Sequence, residues 1–172
     1  MAKGPRYAVH FRRRREGKTN YSKRLKMLRA RMPRLVVRRS NKYITIQLIE
    51  YSPKGDKTLV TAHSSELQSL GWKHCMKNTP AAYLTGLIAA RKAHEKKIKT
   101  AILDIGLYTP SKGTKLFAAL KGAVDGGLEI NYGAEVLPDE KRISGHHIAE
   151  WLKKPQISSD FVQLKNKLVG KT

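Results

Sequence analysis

Residues 33–63, PRLVVRRSNKYITIQLIEYSPKGDKTLVTAH, decide the fold. Leu35, Val36 and Val37 form a short apolar strand, and Ser40, Asn41 and Lys42 are turn residues that close it into a hairpin. From Tyr43 to Tyr51 the chain alternates. Ile44, Ile46 and Leu48 fall on one face of a strand, and Tyr43, Thr45 and Gln47 on the other. Pro53, Lys54, Gly55 and Asp56 make a second turn, and Thr58 to His63 a third strand. The stretch is an antiparallel meander with one apolar face.

Toward the C-terminus the period changes. Thr79 is the expected N-cap and Pro80 the first residue of a helix running to about Lys97, with Leu84, Leu87 and Ile88 inward. Ala101 to Gly106 is a short continuous apolar run, which suits a strand buried on both faces. A second helix is expected from Lys115 to Gly126, with Leu116, Ala119, Leu120, Ala123 and Val124 inward, stopped by Gly126 and Gly127. Leu128 to Ile130 reads as one more short strand and Ser144 to Leu152 as a short helix. Phe161, Leu164 and Leu168 recur at helical spacing after a cap at Ser159 or Asp160. The order β-β-β-α-β-α implies a mixed sheet with a right-handed crossover and helices on both faces. The expected class is α/β, a three-layer α/β/α sandwich of ribonuclease-H-like topology, with a basic N-terminal arm and short C-terminal helices.

Toward the N-terminus lies that arm, residues 1–33. It opens on Lys3, Gly4, Pro5 and Arg6, contains the run Arg12, Arg13, Arg14, Arg15, and has Glu16 as its only acid. Tyr21, Leu25, Leu28 and Met32 give a narrow apolar stripe, so Thr19 to Met32 is expected to be helical, capped by Thr19 or Asn20 and stopped by Pro33. The core is placed at residues 34–153 and a basic tail at 154–172.

Charge sets the chemistry. The chain has 172 residues, with 35 Lys plus Arg against 13 Asp plus Glu, a formal net charge of +22. A compact body with that surplus repels itself and calls for a polyanionic partner. No apolar run approaches the ~20 residues of a spanning helix, and no apolar leader follows Met1. Nucleic acid is therefore the expected partner, with no membrane and no small-molecule substrate. Arm guanidinium groups suit phosphate bidentately, and Tyr7, Phe11 and Tyr21 among them suit unpaired bases. Lys18, Lys23 and Arg24 extend the arm's set. Arg34, Arg38, Arg39 and Lys42 form a second cluster, in which Arg38 and Arg39 point to opposite faces of a regular strand. Lys112 and Thr114 precede a helix N-terminus that offers amides to phosphate, but the order Lys-Gly-Thr lacks the spacing of a nucleotide-binding loop.

No metal or cofactor is expected. Cys75 is the single cysteine, and His146 and His147 are adjacent, so they do not share a helix face. Two alternatives stand beside this reading: a metal-dependent nuclease using Glu50, Asp104 and Asp125, and a chaperone or regulator of RNA.

Several stretches match one family in order: GPRYAVHFRRRREGKTNYSKRL (4–25), PRLVVRRSNKYITIQLI (33–49), LVTAHSSEL (59–67), GW (71–72), NTPAAYLTGLIAARKA (78–93), AILDIGL (101–107), KLFAALKGAVDGGLEI (115–130) and RISGHHIAEW (142–151). The chain closely resembles the archaeal and eukaryotic branch of the universal ribosomal protein family that binds 5S ribosomal RNA. The resemblance covers about residues 2–152. It implies a structural, non-enzymatic constituent of the large subunit in the cytoplasm, at the central protuberance. It implies as partners 5S rRNA, large-subunit rRNA of the 23S/28S type and neighbouring large-subunit proteins, including the other 5S-RNA-binding protein. By the family's motifs, Arg6, Tyr7, Arg12 to Arg15, Thr19, Tyr21 and Arg24 match the arm. Arg38, Arg39, Ser40, Asn41 and Lys42 match the hairpin, His63, Ser64 and Ser65 the HSS motif, and Trp72 the GW pair. After Trp151 the chain departs from other members, which carry longer and different extensions. The arm is expected to be disordered without RNA and to order on binding.

Overall fold

The computed structural model describes residues 4–153 and 155–170. Strands β1 (Arg34–Arg39), β2 (Ile44–Glu50) and β3 (Lys57–His63) form the expected meander. β4 (Ile102–Asp104) joins β1 in parallel, so the open sheet is mixed, in the order β3-β2-β1-β4. The alternation holds: Ile44, Ile46 and Leu48 are buried, and the register sets Leu35 opposite Leu48 and Val37 opposite Ile46. β4 is shorter than the apolar run suggested, and Ile102 and Leu103 are only half-buried. It lies at the sheet edge, where among the described residues one flank has no neighbouring strand.

Helix α4 (Thr79–Glu95) packs on β2 and β3, and α5 (Lys115–Asp125) on β1. The two helices lie against each other so closely that glycines are needed. A Cβ at Gly86 would land on the Ala119 carbonyl oxygen, and one at Gly122 on the Tyr83 carbonyl oxygen. The cap of α4 is Asn78, one residue before the expected Thr79. Its Oδ1 accepts the Ala81 amide at 2.8 Å, and Pro80 sits in the first turn, where its missing N–H costs nothing. Val124 of α5 is only partly buried.

The arm contains α1 (Arg12–Arg15) and α2 (Tyr21–Leu28). Asn20 caps α2 through the Lys23 amide at 2.9 Å. The helix stops four residues before Met32. Met32 precedes Pro33, which disfavours helical backbone there, and Arg31 takes a left-handed φ of 52°. Leu25, on the apolar stripe, is exposed.

Between β3 and α4 lies α3 (Glu66–Ser69). Residues 128–130 make a single bridge, Thr100 to Glu129, in place of a strand. After α6 (Glu140–Ile143), which was not expected, comes α7 (His146–Leu152), the helix expected at 144–152, set off by Gly145 at φ 81°. α8 (Gln156–Val169) begins before Ser159 and buries Ile157, Phe161, Leu164 and Leu168. It docks on α4, with the Tyr83 and Phe161 rings 5.5 Å apart.

Candidate nucleic-acid interface

On β1, Arg34, Val36 and Arg38 point away from Leu35 and Val37, so they occupy the face opposite α4 and α5. Asp104 is paired with Val36 and lies on that same face. The result is a ladder of five side chains. Arg24 of α2 grips both Asp56 oxygens, at 2.7 and 2.8 Å. Asp56 also accepts Arg34 Nη2 at 2.6 Å. Arg34 Nη1 donates to Asp104 Oδ2 at 2.8 Å, and Arg38 Nη2 to Asp104 Oδ1 at 3.1 Å. Arg38 Nη1 adds a bond to the Asp104 carbonyl oxygen at 2.7 Å. With Lys23 Nζ on the Gly106 carbonyl at 3.3 Å, the ladder ties α2 to the sheet.

Burial pushes the Asp104 carboxyl up. The Arg38 charge, the Gly106 amide and the Arg34 charge outweigh it and hold the group below the ordinary carboxylate range. Asp104 is thus an anion enclosed by two guanidinium groups, which leaves it poorly suited to a metal. Asp125, the second carboxylate of the nuclease reading, accepts the Tyr83 hydroxyl at 2.8 Å and pairs with Lys121 at 2.9 Å. Burial, then Asp125, pushes the Tyr83 phenol up. Among the described residues no three His, Cys, Asp or Glu side chains group as a metal site would require.

Around the ladder stand the arm's cations. A cleft of about 510 Å³ is lined by Arg13, Lys18, Thr19, Tyr21, Lys23 and Arg24 from the arm and by Arg34, Arg38 and Gly106 from the core. Arg6, Tyr7, Phe11 and Arg12 to Arg15 are exposed. Glu16 draws in Lys18 at 2.8 Å and Arg12 at 3.6 Å, and Arg13 Nε donates to Thr19 Oγ1 at 2.9 Å. The Phe11 and Tyr21 rings meet at 5.4 Å, yet Phe11 stays 72% exposed, so an apolar face remains open beside the arginines. Lys3 lies outside the described residues.

The first hairpin presents Asn41 and Lys42 at its exposed tip. Ser40 closes it, with its Oγ accepting the Tyr43 amide at 3.0 Å. Tyr43 and His63 pack ring to ring at 4.9 Å on the face that carries Arg38. The Ser65 amide donates to His63 Nδ1 at 3.3 Å, which makes that nitrogen an acceptor. Arg39, on the other side of its strand as expected, stacks over Tyr108 at 4.9 Å.

Two residues expected at the interface have no surface to offer. Ser64 is 0% exposed and completes the β2–β3 ladder: its Oγ accepts the Ile44 amide at 3.0 Å and its own amide donates to the Ile44 carbonyl at 2.9 Å. Trp72 is 1% exposed, with its indole N–H on the Cys75 carbonyl. Both hold the core and leave the candidate interface. At the start of α5, Lys112 pairs with Glu135 at 2.9 Å, and the Gly113 amide is taken by the Val136 carbonyl. Thr114 occupies the cap position without a side-chain capping bond.

Arg34, expected in the hairpin's basic cluster, is instead 3% exposed and held between Asp56 and Asp104. Sequence reasoning alone misses Asp56, Lys77 and Lys115 as site residues. Burial lowers the Lys115 ammonium, and the nearby cations Lys77 and Arg39 lower it further. A lysine crowded by cations gains from an arriving anion. Asp56 was legible in principle, because an acid in a chain this poor in acids has arginines to satisfy.

A family model described as ribosomal large subunit proteins 60S L5 and 50S L18 matches residues 5–100 and 91–133. A relative from Methanoregula boonei, named large ribosomal subunit protein uL18, is 56% identical over 154 residues, covering 90% of this chain and 88% of the relative. A relative of the same name from Korarchaeum cryptofilum is 51% identical over 154 residues, covering 90% of this chain and 79% of the relative. An arginine-rich arm latched to one face of a mixed sheet, with matches of this length and identity, leaves one conclusion: the chain belongs to the family of ribosomal large-subunit proteins that comprises 60S L5 and 50S L18.

Proposed function

We propose that the chain is a structural constituent of the large ribosomal subunit that binds 5S rRNA and helps attach it to large-subunit rRNA in the central protuberance. One observation carries the reading: a cationic arm with exposed aromatic rings is fixed by α2 beside a sheet face that carries Tyr43 and His63, with Lys42 at the hairpin tip. Arginine and lysine neutralise phosphates, aromatic rings pack on bases or sugars, and the core sets the geometry. Contacts to backbone shape outweigh base reading. The arm upstream of α2 orders on RNA, and heteronuclear relaxation of the free protein checks this, since a rigid 5–18 segment would contradict it. Neighbouring large-subunit proteins, including the other 5S-RNA-binding protein, are the remaining partners.

The test is a gel shift of the full chain on a 5S transcript, with transfer RNA as competitor, across a salt series. Removal of residues 1–18 is expected to weaken binding and flatten the salt slope. Indifference to 5S RNA, or an unchanged slope after truncation, overturns the proposal.

A further inference from the structure

Among the described residues the sheet has two open edges, and they are handled differently. β4 is three residues long and offers little backbone to a neighbour. β3 is seven residues long, and its stretch Thr58 to Ala62 contains no charge, proline or glycine. A strand of that composition with a free flank is a template for a further strand.

The register says which backbone groups lie on that flank. The Ser64 amide donates to the Ile44 carbonyl, so the hydrogen-bonded pairs of β2 and β3 continue through Ile46 with Ala62 and Leu48 with Val60. The alternate residues Thr61 and His63 therefore turn their N–H and C=O groups away from β2. Side chains cover three backbone groups of this edge. The His63 amide donates to Glu66 Oε1 at 3.1 Å. Lys92 Nζ donates to the Thr61 carbonyl oxygen at 2.9 Å, and Lys96 Nζ to the Leu59 carbonyl oxygen. Lys92 also grips both Glu66 oxygens, at 2.9 and 2.8 Å, so the covers from α3 and α4 hold each other. α4 packs on β3, and its C-terminal end carries Lys92 and Lys96, one turn apart, to the flank.

We propose that Glu66, Lys92 and Lys96 guard an interaction surface, the outer edge of β3, which without them pairs antiparallel with the same edge of a second copy of this chain. An antiparallel edge is self-complementary about a two-fold axis, because each strand offers the other the same alternation of donors and acceptors. Repulsion between copies of net charge +22 keeps them apart at long range but fades where salt or a bound polyanion screens it. The side-chain covers act at contact, where that repulsion has been lost. The proposal stands on the fold and not on the RNA-binding reading.

The test compares the full chain with the Lys92→Met, Lys96→Met double variant, by light scattering after size exclusion in high salt. Methionine keeps the length of the stem and removes the donor. The wild type is expected to hold the monomer mass of 19.4 kDa as concentration rises, and the variant to shift toward twice that mass. In the associated variant, hydrogen exchange at the Thr61 amide is expected to slow by about tenfold or more. Lys73→Met with Lys99→Met lowers the charge equally at two exposed positions outside the guard, and is expected to stay monomeric. Circular dichroism verifies the fold, and Lys96→Met alone, which leaves the Lys92–Glu66 pair intact, carries the test should the double variant unfold. A guard variant that associates no more than the wild type or the charge control would overturn the proposal. So would an associated variant whose Thr61 amide exchanges as fast as in the monomer.

Discussion

Asp104→Asn separates a structural carboxylate from a catalytic one. The exchange keeps size and shape, and the new Oδ1 can still accept the Gly106 amide. It removes the charge between Arg34 and Arg38 and turns an amide N–H₂ toward a guanidinium that also donates. Arg34 is 3% exposed and Asp104 4%, so the lost countercharge is not replaced by water. Breaking a buried ion pair from one side costs about 3–5 kcal/mol. The Arg38 side chain is 42% exposed, and its share is screened, which places the expected loss near the low end, about 3 kcal/mol. In a chain of this length that is a fall in Tm of roughly 6–12 °C. Urea unfolding followed by circular dichroism should show a lower midpoint at an unchanged slope, with or without magnesium. The pH dependence carries a sign. The folded carboxyl is held below its unfolded value of about 3.9, so its stabilisation is complete above that value and is lost as pH falls through the folded one. The gap between wild type and variant should therefore be constant above about pH 5 and close below about pH 4. A variant as stable as wild type, or more stable, would refute the ladder and revive Asp104 as a strained functional group.

Other substitutions test other levels. Gly122→Ala drives a methyl into the Tyr83 carbonyl where α4 and α5 meet, and should cost about 3 kcal/mol or more, seen as a collapsed melting transition. Asn78→Ala removes the α4 cap and should cost about 1 kcal/mol in urea melts, without altering RNA affinity at a concentration where both forms are folded. Replacing Arg12 to Arg15 by Gln should lower the slope of log K against log salt by up to about 3, at roughly 0.7 for each phosphate no longer neutralised, while leaving the unfolding midpoint nearly unmoved, because α1 buries nothing.

Local pattern made most of the core legible. Two-residue alternation in Ile44, Ile46 and Leu48 needs no tertiary information, and neither does a proline in the first turn of α4. What failed did so for tertiary reasons. β4 reads as doubly buried because its residues are apolar, but its place at the edge follows from strand order, which composition does not encode. Ser64 and Trp72 were assigned to the interface by motif, and a motif does not say which face a side chain takes. The ladder joins residues 24, 34, 38, 56 and 104, too far apart for any periodicity to link them. Only the scarcity of acids hinted at it.

That scarcity also bears on how a chain of net charge +22 limits repulsion among its own cations. Two of the six carboxylates before residue 125, Asp56 and Asp104, are placed between three arginines. Those cations thereby stop repelling one another and join α2, the β2–β3 turn, β1 and β4. RNA need not break these pairs to bind, since the arm's arginines at 12–15 are exposed separately. The ordering cost of association then falls chiefly on the residues upstream of α2, whose starting direction the ladder has already fixed. A free arm tethered to a fixed root searches a smaller volume than a free arm on a free root. The Arg24–Asp56 pair should therefore matter to RNA affinity even if neither side chain touches a phosphate.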